Sequence, residues 1–177
     1  RLERHVELVD VGTLVSDTVE SHAGIREEIA FHVHTDVSRH FRSERTRLHQ
    51  VLANLISNAA KYSDPAKSNP GVWIDTTLTD GLLQVRVADN GIGIPEDQRE
   101  RVFEMFHRAS GQSDGVGLGL YLVHQHVKAL GGNALIGYRL TPRESSRTSR
   151  NQAYHMVSVS GDAVELERLE PVAALPG

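Results

Sequence analysis

The chain has 177 residues, of which 39% are hydrophobic and 24% are charged. This composition is typical of a single globular domain and is too apolar for a disordered chain. The formal net charge of −4 does not indicate binding to nucleic acid or to an anionic membrane. The absence of cysteine excludes disulfides and thiolate chemistry. No apolar run approaches the length of a membrane span.

The first third of the chain is predicted to contain two strands and two helices. Residues 8–11 are predicted to form a short strand, and a helical pattern follows from Gly12 to near Gly24. Alternation of Ile29, Phe31 and Val33 with polar neighbours predicts a half-buried strand. The clearest helix covers 43–61, because its apolar residues recur at steps of three and four: Leu48, Val51, Leu52, Leu55, Ile56 and Ala59.

The rest of the chain is rich in hairpin signals. Strands are predicted at 72–78 and 82–88, joined by Asp80-Gly81, and again at 135–140 and 154–159. Between the two pairs we expect a short helix from Ile94 to about Val102, a mobile loop over 107–114 and a long helix over 116–130. The stretch 141–152 is polar and is expected to be solvated.

The order of these elements predicts the fold class. The strands come as hairpins and not as strict strand–helix–strand units. This pattern indicates an α+β fold, a two-layer α/β sandwich with a mixed, mostly antiparallel sheet and helices on one face.

Three polar residues share one face of the predicted helix over 43–61. Asn54, Asn58 and Lys61 are separated by steps of four and three. An amide oxygen suits Mg²⁺, and a lysine can act as a point charge on a phosphate. The alternative is an ordinary solvated polar face, and this helix alone does not decide between the two.

A second polar motif, Asp89-Asn90-Gly91-Ile92-Gly93-Ile94, directly follows a predicted strand. Asn90-Gly91 by itself would indicate a simple turn. The second glycine, followed by Ile94 and a proline, instead indicates backbone brought close to a flat ligand. A carboxylate at Asp89 could then accept a hydrogen bond from the amino group of a purine.

The third motif is Gly115-Val116-Gly117-Leu118-Gly119-Leu120, at the start of a predicted helix. Free N–H groups and the helix dipole make such a start an anion site. No Gly-Lys-Ser/Thr follows, so the motif is not a P-loop, and its spacing is not that of a dinucleotide fingerprint. Upstream lies Phe103-Glu104-Met105-Phe106-His107-Arg108, whose phenylalanines we expect in the core and whose arginine could reach a terminal phosphate.

The order of these motifs resembles a known family. N-L-I-S-N-A-A-K-Y, D-N-G-I-G-I, F-E-M-F-H-R and G-V-G-L-G-L resemble the N, G1, F and G2 boxes of sensor histidine kinases. That family belongs to the superfamily of gyrase, heat-shock chaperone and mismatch-repair ATPases, whose fold is the Bergerat sandwich. The resemblance covers about residues 6–160 and implies ATP and Mg²⁺ as cofactors.

The resemblance also implies roles for individual residues. Asn58 would coordinate Mg²⁺, Asn54 and Lys61 would lie at the phosphates, Tyr62 would pack on the nucleotide and Asp89 would bind the adenine amino group. Residues 107–114 would form the ATP lid, with Arg108 approaching the γ-phosphate. The remaining implied nucleotide-binding residues come from the two glycine motifs: Gly91, Gly93, Ile94, Gly115, Val116, Gly117, Leu118, Gly119 and Leu120.

One position distinguishes members of the superfamily. The hydrolases place a water-activating glutamate four residues before the magnesium-binding asparagine, and here that residue is Asn54. An amide is no general base at neutral pH, which favours transfer over hydrolysis.

The chain departs from the family pattern at the Ser43-Glu44 helix start, where an aspartate is usual, and over 141–152. His32 with His34, or His124 with His126, could suggest a metal, but no third ligand is recognisable.

The resemblance implies a protein histidine kinase domain that transfers the ATP γ-phosphoryl group to a histidine on a separate domain. The expected partners are the dimerisation and phosphoacceptor domain of a homodimeric parent and the receiver domain of a response regulator, with no nucleic acid and no direct membrane contact. We expect a cytoplasmic location and three regions: a junction over 1–10, the catalytic domain over 11–160 and a tail over 161–177. The alternatives are a catalytically silent nucleotide-binding regulator, a superfamily ATPase and an anti-sigma-type serine kinase.

Overall fold

Three helices and eight strands make up the part of the chain that the computed structural model describes, residues 5–24, 26–35, 40–64, 66–79, 81–98, 101–107, 117–140, 151–160 and 163–164. A short 3-10 turn covers Glu96–Gln98. The elements in chain order are β1 (Glu7–Asp10), α1 (Val11–Ala23), β2 (Ala30–Thr35), β3 (His40–Ser43), α2 (Arg45–Lys61), β4 (Gly71–Thr79), β5 (Leu82–Asp89), α3 (Gly119–Ala129), β6 (Asn133–Leu140), β7 (Asn151–Ser160) and β8 (Ala163–Val164).

The strands form two sheets. The larger has five strands in the order β2-β4-β5-β7-β6, and the smaller has three in the order β1-β3-β8. Only the β2–β4 pair is parallel among the described strand pairs; all others are antiparallel. The predicted hairpins β4–β5 and β6–β7 are both confirmed, and so is the α+β sandwich with a mixed sheet.

The core lies between the helices and one face of the five-stranded sheet. Along β4 and β5, the inward residues alternate with more exposed ones, as a half-buried strand requires. The apolar stripe of α2 lies against this face and is fully buried, together with Val123 and Val127 of α3. The inward residues of the two strands are Val72, Ile74, Thr76 and Leu78, and Leu83, Val85, Val87 and Asp89.

The start of α1 shows how local chemistry sets an element's boundary. Asp10 ends β1, and its side chain accepts a hydrogen bond of 2.9 Å from the Thr13 N–H, which caps the helix. Deeper in the helix, the buried Thr18 hydroxyl donates to the Leu14 carbonyl at 2.6 Å and is thereby satisfied. Asp10 is therefore both the last residue of β1 and the N-cap of α1.

Strand β3 was not predicted, and Ser43 was wrongly placed in the following helix. The strand has four residues, too few for a period to stand out. It is stabilised by partners distant in sequence, because β1 pairs along its full length and β8 adds two residues on its other side. Phe41 at its centre is 0% exposed. Tertiary pairing, which no local pattern reveals, creates this element.

Four other local predictions were wrong, one in burial and three in extent. Val33 was expected on the buried face of its strand, but it is 40% exposed because β2 lies at the edge of the sheet. Of the expected helix over 94–102, the described residues form the Glu96–Gln98 turn, followed by turns and a bend over 101–106. Helix α3 begins at Gly119 and not at 116, and Asn151 and Gln152 belong to β7 and not to a solvated loop.

None of the helices in the described ranges has both the length and the apolar character that crossing a bilayer requires.

Truncation of Phe41 tests the unpredicted strand. We expect Phe41→Ala to lower the free energy of unfolding by about 3–5 kcal/mol, because a fully buried aromatic ring is lost. The matched change Val33→Ala, on an exposed edge-strand side chain, should cost less than about 1 kcal/mol. Urea denaturation measures both, and equal losses would contradict the burial pattern described.

Candidate functional site

Helix α2 carries the first predicted motif on the flank of its buried stripe. Asn54 and Asn58 are half-buried, and Lys61 is exposed in the last turn. The Asn54 side-chain amide donates a 2.9 Å hydrogen bond to the Gln50 carbonyl one turn earlier. That bond uses one of the two N–H groups of the amide, whose carbonyl oxygen acts as an acceptor.

The start of α3 lies directly against these two asparagines. A β-carbon placed on Gly119 would be 3.3 Å from the Asn58 Nδ2 atom, 3.4 Å from its Oδ1 atom and 3.6 Å from the Asn54 Oδ1 atom. Leu118, the residue that precedes the helix, makes no side-chain cap bond. Two amide oxygens and the N-terminus of a helix thus meet in one place, which suits an anion and its counterion.

The chain around α3's start has an unusual backbone. Gly117 has a φ of 74° and Phe106 a φ of 63°, and the Phe106 N–H donates to the Gly117 carbonyl at 3.1 Å. This bond joins the two ends that flank residues 108–116. Arg108, Gly115 and Val116, and the predicted lid apart from His107, lie outside the described residues.

Asp89 ends β5 as a buried carboxyl group, 5% exposed. Its Oδ1 atom accepts a 2.9 Å hydrogen bond from the Gly91 N–H. Burial raises the pKa of Asp89 to about 6, against the opposing influence of that N–H and of the nearby Lys67 ammonium. A desolvated carboxylate at the end of a strand is a strong acceptor for an amino group that can replace the lost water.

The turn after Asp89 packs on the end of α2. A β-carbon on Gly91 would lie 2.2 Å from the Tyr62 carbonyl oxygen, so no larger residue fits there without movement of the backbone. The Ile92 N–H donates to the same oxygen at 3.0 Å. Gly93 follows with a φ of 75°, and the half-buried Ile94 completes the turn. The Asp89 motif is therefore fixed to the C-terminal end of α2.

The predicted site residues thus gather along one helix. Gly119 contacts α2 near Asn54 and Asn58, and Gly91 contacts it at Tyr62. Asn54 and Tyr62 are eight residues apart, or about 12 Å along a helix axis. Lys61 lies between, with its Nζ atom 5.7 Å from the centre of the Tyr62 ring. An elongated ligand along this flank would meet a buried carboxyl group at one end and amides and a helix N-terminus at the other.

Two residues of the site were missed from the sequence. Lys67 donates hydrogen bonds from its ammonium group to the carbonyls of Asn90 and Gly91. Asn90, interpreted only as a turn residue, accepts from the Gly71 N–H at 2.9 Å and donates to the Asn69 carbonyl at 2.8 Å. Asn90 could have been suspected from its motif, but nothing in the pattern of the polar loop distinguishes Lys67.

The expectation that both phenylalanines of the F-E-M-F motif lie in the core was wrong for one of them. Phe103 is half-buried, with its ring 5.5 Å from that of His124. Phe106 is 61% exposed and has a left-handed backbone, with a φ of 63°. Of the histidines considered as metal ligands, His32 stacks on Trp73 at 5.3 Å and His126 lies 3.4 Å from Arg47.

A family model matches this arrangement. Residues 43–159 match the family described as histidine kinase-, DNA gyrase B-, and HSP90-like ATPase. The chain belongs to this family, and the matched range runs from the end of β3 into β7.

The relatives in sequence are sensor kinases. The chain is 35% identical over 130 residues to the sensor-like histidine kinase SenX3 of Mycolicibacterium smegmatis, a match that covers 70% of this chain and 33% of that protein. It is 39% identical over 94 residues to the sensor histidine kinase WalK of Bacillus subtilis, covering 51% of this chain and 15% of that protein. The chain thus spans a third or less of these relatives.

Solved structures agree with this placement. The mycobacterial sensor histidine kinase MprB has a TM-score of 0.74 and 26% identity, with 88% of this chain and 98% of that chain covered. Full-length ShkA in complex with AMPPNP has a TM-score of 0.73 and 26% identity, covering 93% of this chain and 33% of that one. Within its family, the chain is thus a catalytic, ATP-binding domain of the sensor histidine kinase type, as its motifs predicted.

Replacement of Gly119 tests the junction between α2 and α3. We expect Gly119→Ala to weaken Mg-ATP binding about tenfold, because the added methyl group crowds the two asparagine amides. The free energy of unfolding should stay unchanged or rise by up to about 1 kcal/mol, since alanine favours the helix. Calorimetric titration and urea denaturation measure the two effects.

Gly24→Ala provides the matched control, because a β-carbon there meets no atom within 4 Å and the residue has a φ of −77°. We expect it to leave ATP affinity unchanged. Equal ATP affinity in the Gly119 and Gly24 variants would show that the junction does not border the nucleotide.

Proposed function

We propose that the domain binds Mg-ATP along the flank of α2 and transfers the γ-phosphoryl group to a histidine of a separate dimerisation domain. The observation that carries this proposal is the contact of Gly119 with Asn54 and Asn58, which joins a helix N-terminus to two amide oxygens. A helix N-terminus attracts phosphate through its free N–H groups and its dipole. Amide oxygens beside it suit the metal ion that accompanies a polyphosphate.

The opposite end of the flank suits adenine. Asp89 is buried at the end of β5, so its carboxylate has limited access to water. The Gly91 N–H and the Lys67 ammonium stabilise its ionised form, which can accept a hydrogen bond from a ligand. A carboxylate accepts from the exocyclic amino group of adenine and repels the carbonyl oxygen that guanine carries at that position. Tyr62 is half-buried beside this turn and is proposed to pack on the nucleotide.

The donor set at the phosphate end fits Mg²⁺. Asn58 supplies an oxygen ligand, Asn54 lies next to it, and a site with few protein ligands is usual for an ion that keeps water and phosphate oxygens in its shell. When bound there, Mg²⁺ would neutralise charge on the phosphates. Lys61, exposed at the end of α2, is proposed to add a further positive charge, and Arg108 to approach the γ-phosphate.

Transfer is favoured over hydrolysis by the residue at position 54. The Asn54 amide donates to the Gln50 carbonyl and has no basic group with which to activate water. In the proposed reaction, a neutral histidine nitrogen of the partner domain attacks the γ-phosphorus. The bond from that phosphorus to the β–γ bridging oxygen breaks, a nitrogen–phosphorus bond forms and ADP leaves. The residues of this chain then act by positioning and charge neutralisation.

The rest of the signalling reaction requires parts beyond this chain, which spans a third or less of its first relatives. We propose a dimerisation and phosphoacceptor domain and a response-regulator receiver domain as partners. Residues 1–10 are proposed as the junction to the former, 11–160 as the catalytic domain and 161–177 as a tail. Within this proposed junction, Val9 of β1 is buried in the core.

Asp89→Asn separates ligand recognition from folding. We expect it to weaken ATP binding by roughly 1–3 kcal/mol and to abolish discrimination against GTP. At pH 7 the same change should raise the apo protein's free energy of unfolding by about 1–3 kcal/mol, because a desolvated charge is removed. Calorimetry with ATP and GTP, and urea denaturation, measure these effects.

The stability gain should depend on pH. The folded-state pKa of Asp89 is raised from 3.8 to about 6, so the folded protein binds the proton more tightly and loses stability as pH rises through that window. The gain from Asp89→Asn should therefore shrink toward pH 4. The matched variant Asp75→Asn, on a half-exposed residue paired with Arg86, should change neither ATP affinity nor base preference. Equal affinity of the unaltered protein for ATP and GTP would contradict the adenine assignment.

The role of Asn58 is tested in a reaction that includes a phosphoacceptor domain. We expect Asn58→Ala to reduce histidine phosphorylation at least a hundredfold, because the proposed metal ligand is lost. The thermal unfolding of the apo protein should barely change, since the side chain is only half-buried. Ser57→Ala, at the neighbouring position of α2, is the control. A large loss of apo stability in Asn58→Ala alone would indicate a structural role instead.

A further inference from the structure

The loop between α2 and β4 encloses the turn that follows β5. The Tyr62 carbonyl accepts from the Ile92 N–H at 3.0 Å, and the Asn69 carbonyl accepts from the Asn90 side chain at 2.8 Å. The Gly71 N–H donates to the other end of the Asn90 amide at 2.9 Å. The turn that follows Asp89 is therefore bound at both ends by residues that lie 19 to 30 positions earlier in the chain.

Lys67 belongs to the same loop and binds the turn through its side chain. Its ammonium group donates to the Asn90 carbonyl and, at 3.1 Å, to the Gly91 carbonyl. Asp64 places the lysine, because its Oδ1 atom accepts from the Ala66 N–H at 2.9 Å and its carbonyl from the Lys67 N–H at 3.1 Å. A half-buried cation thus holds two successive carbonyl groups of the turn in one direction.

The direction of these carbonyls affects Asp89. With both carbonyls bound to Lys67, the Gly91 N–H is free to point back and donate to the Asp89 carboxylate. The backbone of Gly91 therefore links the lysine to the carboxyl group. Removal of the ammonium would leave two partly buried carbonyls without this donor and would loosen the N–H that orients Asp89.

We propose that Lys67 is a positioning residue of the adenine pocket, which holds the turn after β5 in the conformation that aims an ionised Asp89 at the base. This inference rests on the proposed function. It adds to that function a residue that does not touch the nucleotide and acts through Asp89 and Gly91.

The electrostatics of the pocket support the geometry. Burial raises the pKa of Asp89 to about 6, and Lys67 opposes the rise. In the sheet register Asp89 lies opposite Val72 of β4 and Ala153 of β7, both uncharged. Lys67 is the charged side chain that acts on this carboxyl group within the described part of the chain.

The first test needs no ligand. The Gly91 amide donates to Asp89, so its NMR chemical shift reports the protonation of that carboxyl group in the apo protein. We expect a midpoint near pH 6 in the unaltered protein and a midpoint about one pH unit higher in Lys67→Met. Lys67→Arg, which keeps the charge and the donors, should restore the lower midpoint. Lys128→Met, at an exposed position of α3, is the matched control.

The second test separates positioning from direct contact with phosphate. Lys67→Met should weaken ADP and adenosine by the same factor, about fivefold at pH 6, and the loss should shrink above pH 8, where Asp89 is ionised in both proteins. Asp89→Asn lacks the titrating carboxyl group, so the pH dependence of its affinity for ADP and adenosine reports the titration of the ligand alone. A loss confined to ADP would overturn the inference, because it would place Lys67 on a phosphate.

The outcomes distinguish this inference from the proposed function. Identical Gly91 midpoints in the unaltered protein and Lys67→Met, with normal ATP binding by both, would overturn the role of Lys67 alone. Failure of the unaltered protein to bind adenine nucleotides would overturn both. If Lys67→Met unfolds, Lys67→Gln and Lys67→Arg allow the comparison, and a midpoint raised in Lys67→Gln but not in Lys67→Arg supports the inference.

Discussion

The two-sided character of α2 is the constraint on which the structure depends. Seven of its residues are buried and form the centre of the core: Leu48, Val51, Leu52, Leu55, Ile56, Ala59 and Ala60. The same helical period that buries this stripe places Asn54 and Asn58 on its flank. The helix cannot rotate to hide the asparagines without exposing the stripe, so hydrophobic burial sets the position of the polar site.

The other parts of the site reach this flank through close backbone approaches. Gly91 lies against the Tyr62 carbonyl, and Gly119 lies against the Asn54 and Asn58 amides. Neither glycine has a left-handed φ. The short distance to backbone requires glycine at position 91, whereas a β-carbon at position 119 would only crowd the asparagine side chains. Glycines in such motifs can therefore permit close packing between elements as well as conformational freedom of a loop.

The buried carboxyl group shows how function and stability oppose one another here. Asp89 ends a strand whose inward positions are otherwise apolar, and its ionised form is destabilised there. The surrounding loop reduces that cost through the Gly91 N–H and the Lys67 ammonium. A buried carboxyl group with a raised pKa is typical of functional sites, which supports the proposed role of Asp89 in adenine recognition.

The sequence by itself determined the class of fold, the helix that carries the asparagines, both hairpins and the family, because each depends on local periodicity or on motifs contiguous in the chain. It also predicted that Asn54, Asn58, Asp89, Gly91 and Gly119 belong to one site. Strand β3, the short extent of the turn at Glu96–Gln98, the exposure of Phe106 and the hydrogen bonds of Lys67 were decided only by tertiary structure. Each depends on partners distant in sequence: β1 and β8 pair with β3, Gly117 binds the backbone of Phe106, and the turn after β5 accepts from Lys67. A periodicity reports which face of an element is apolar, but not which distant backbone groups will meet it.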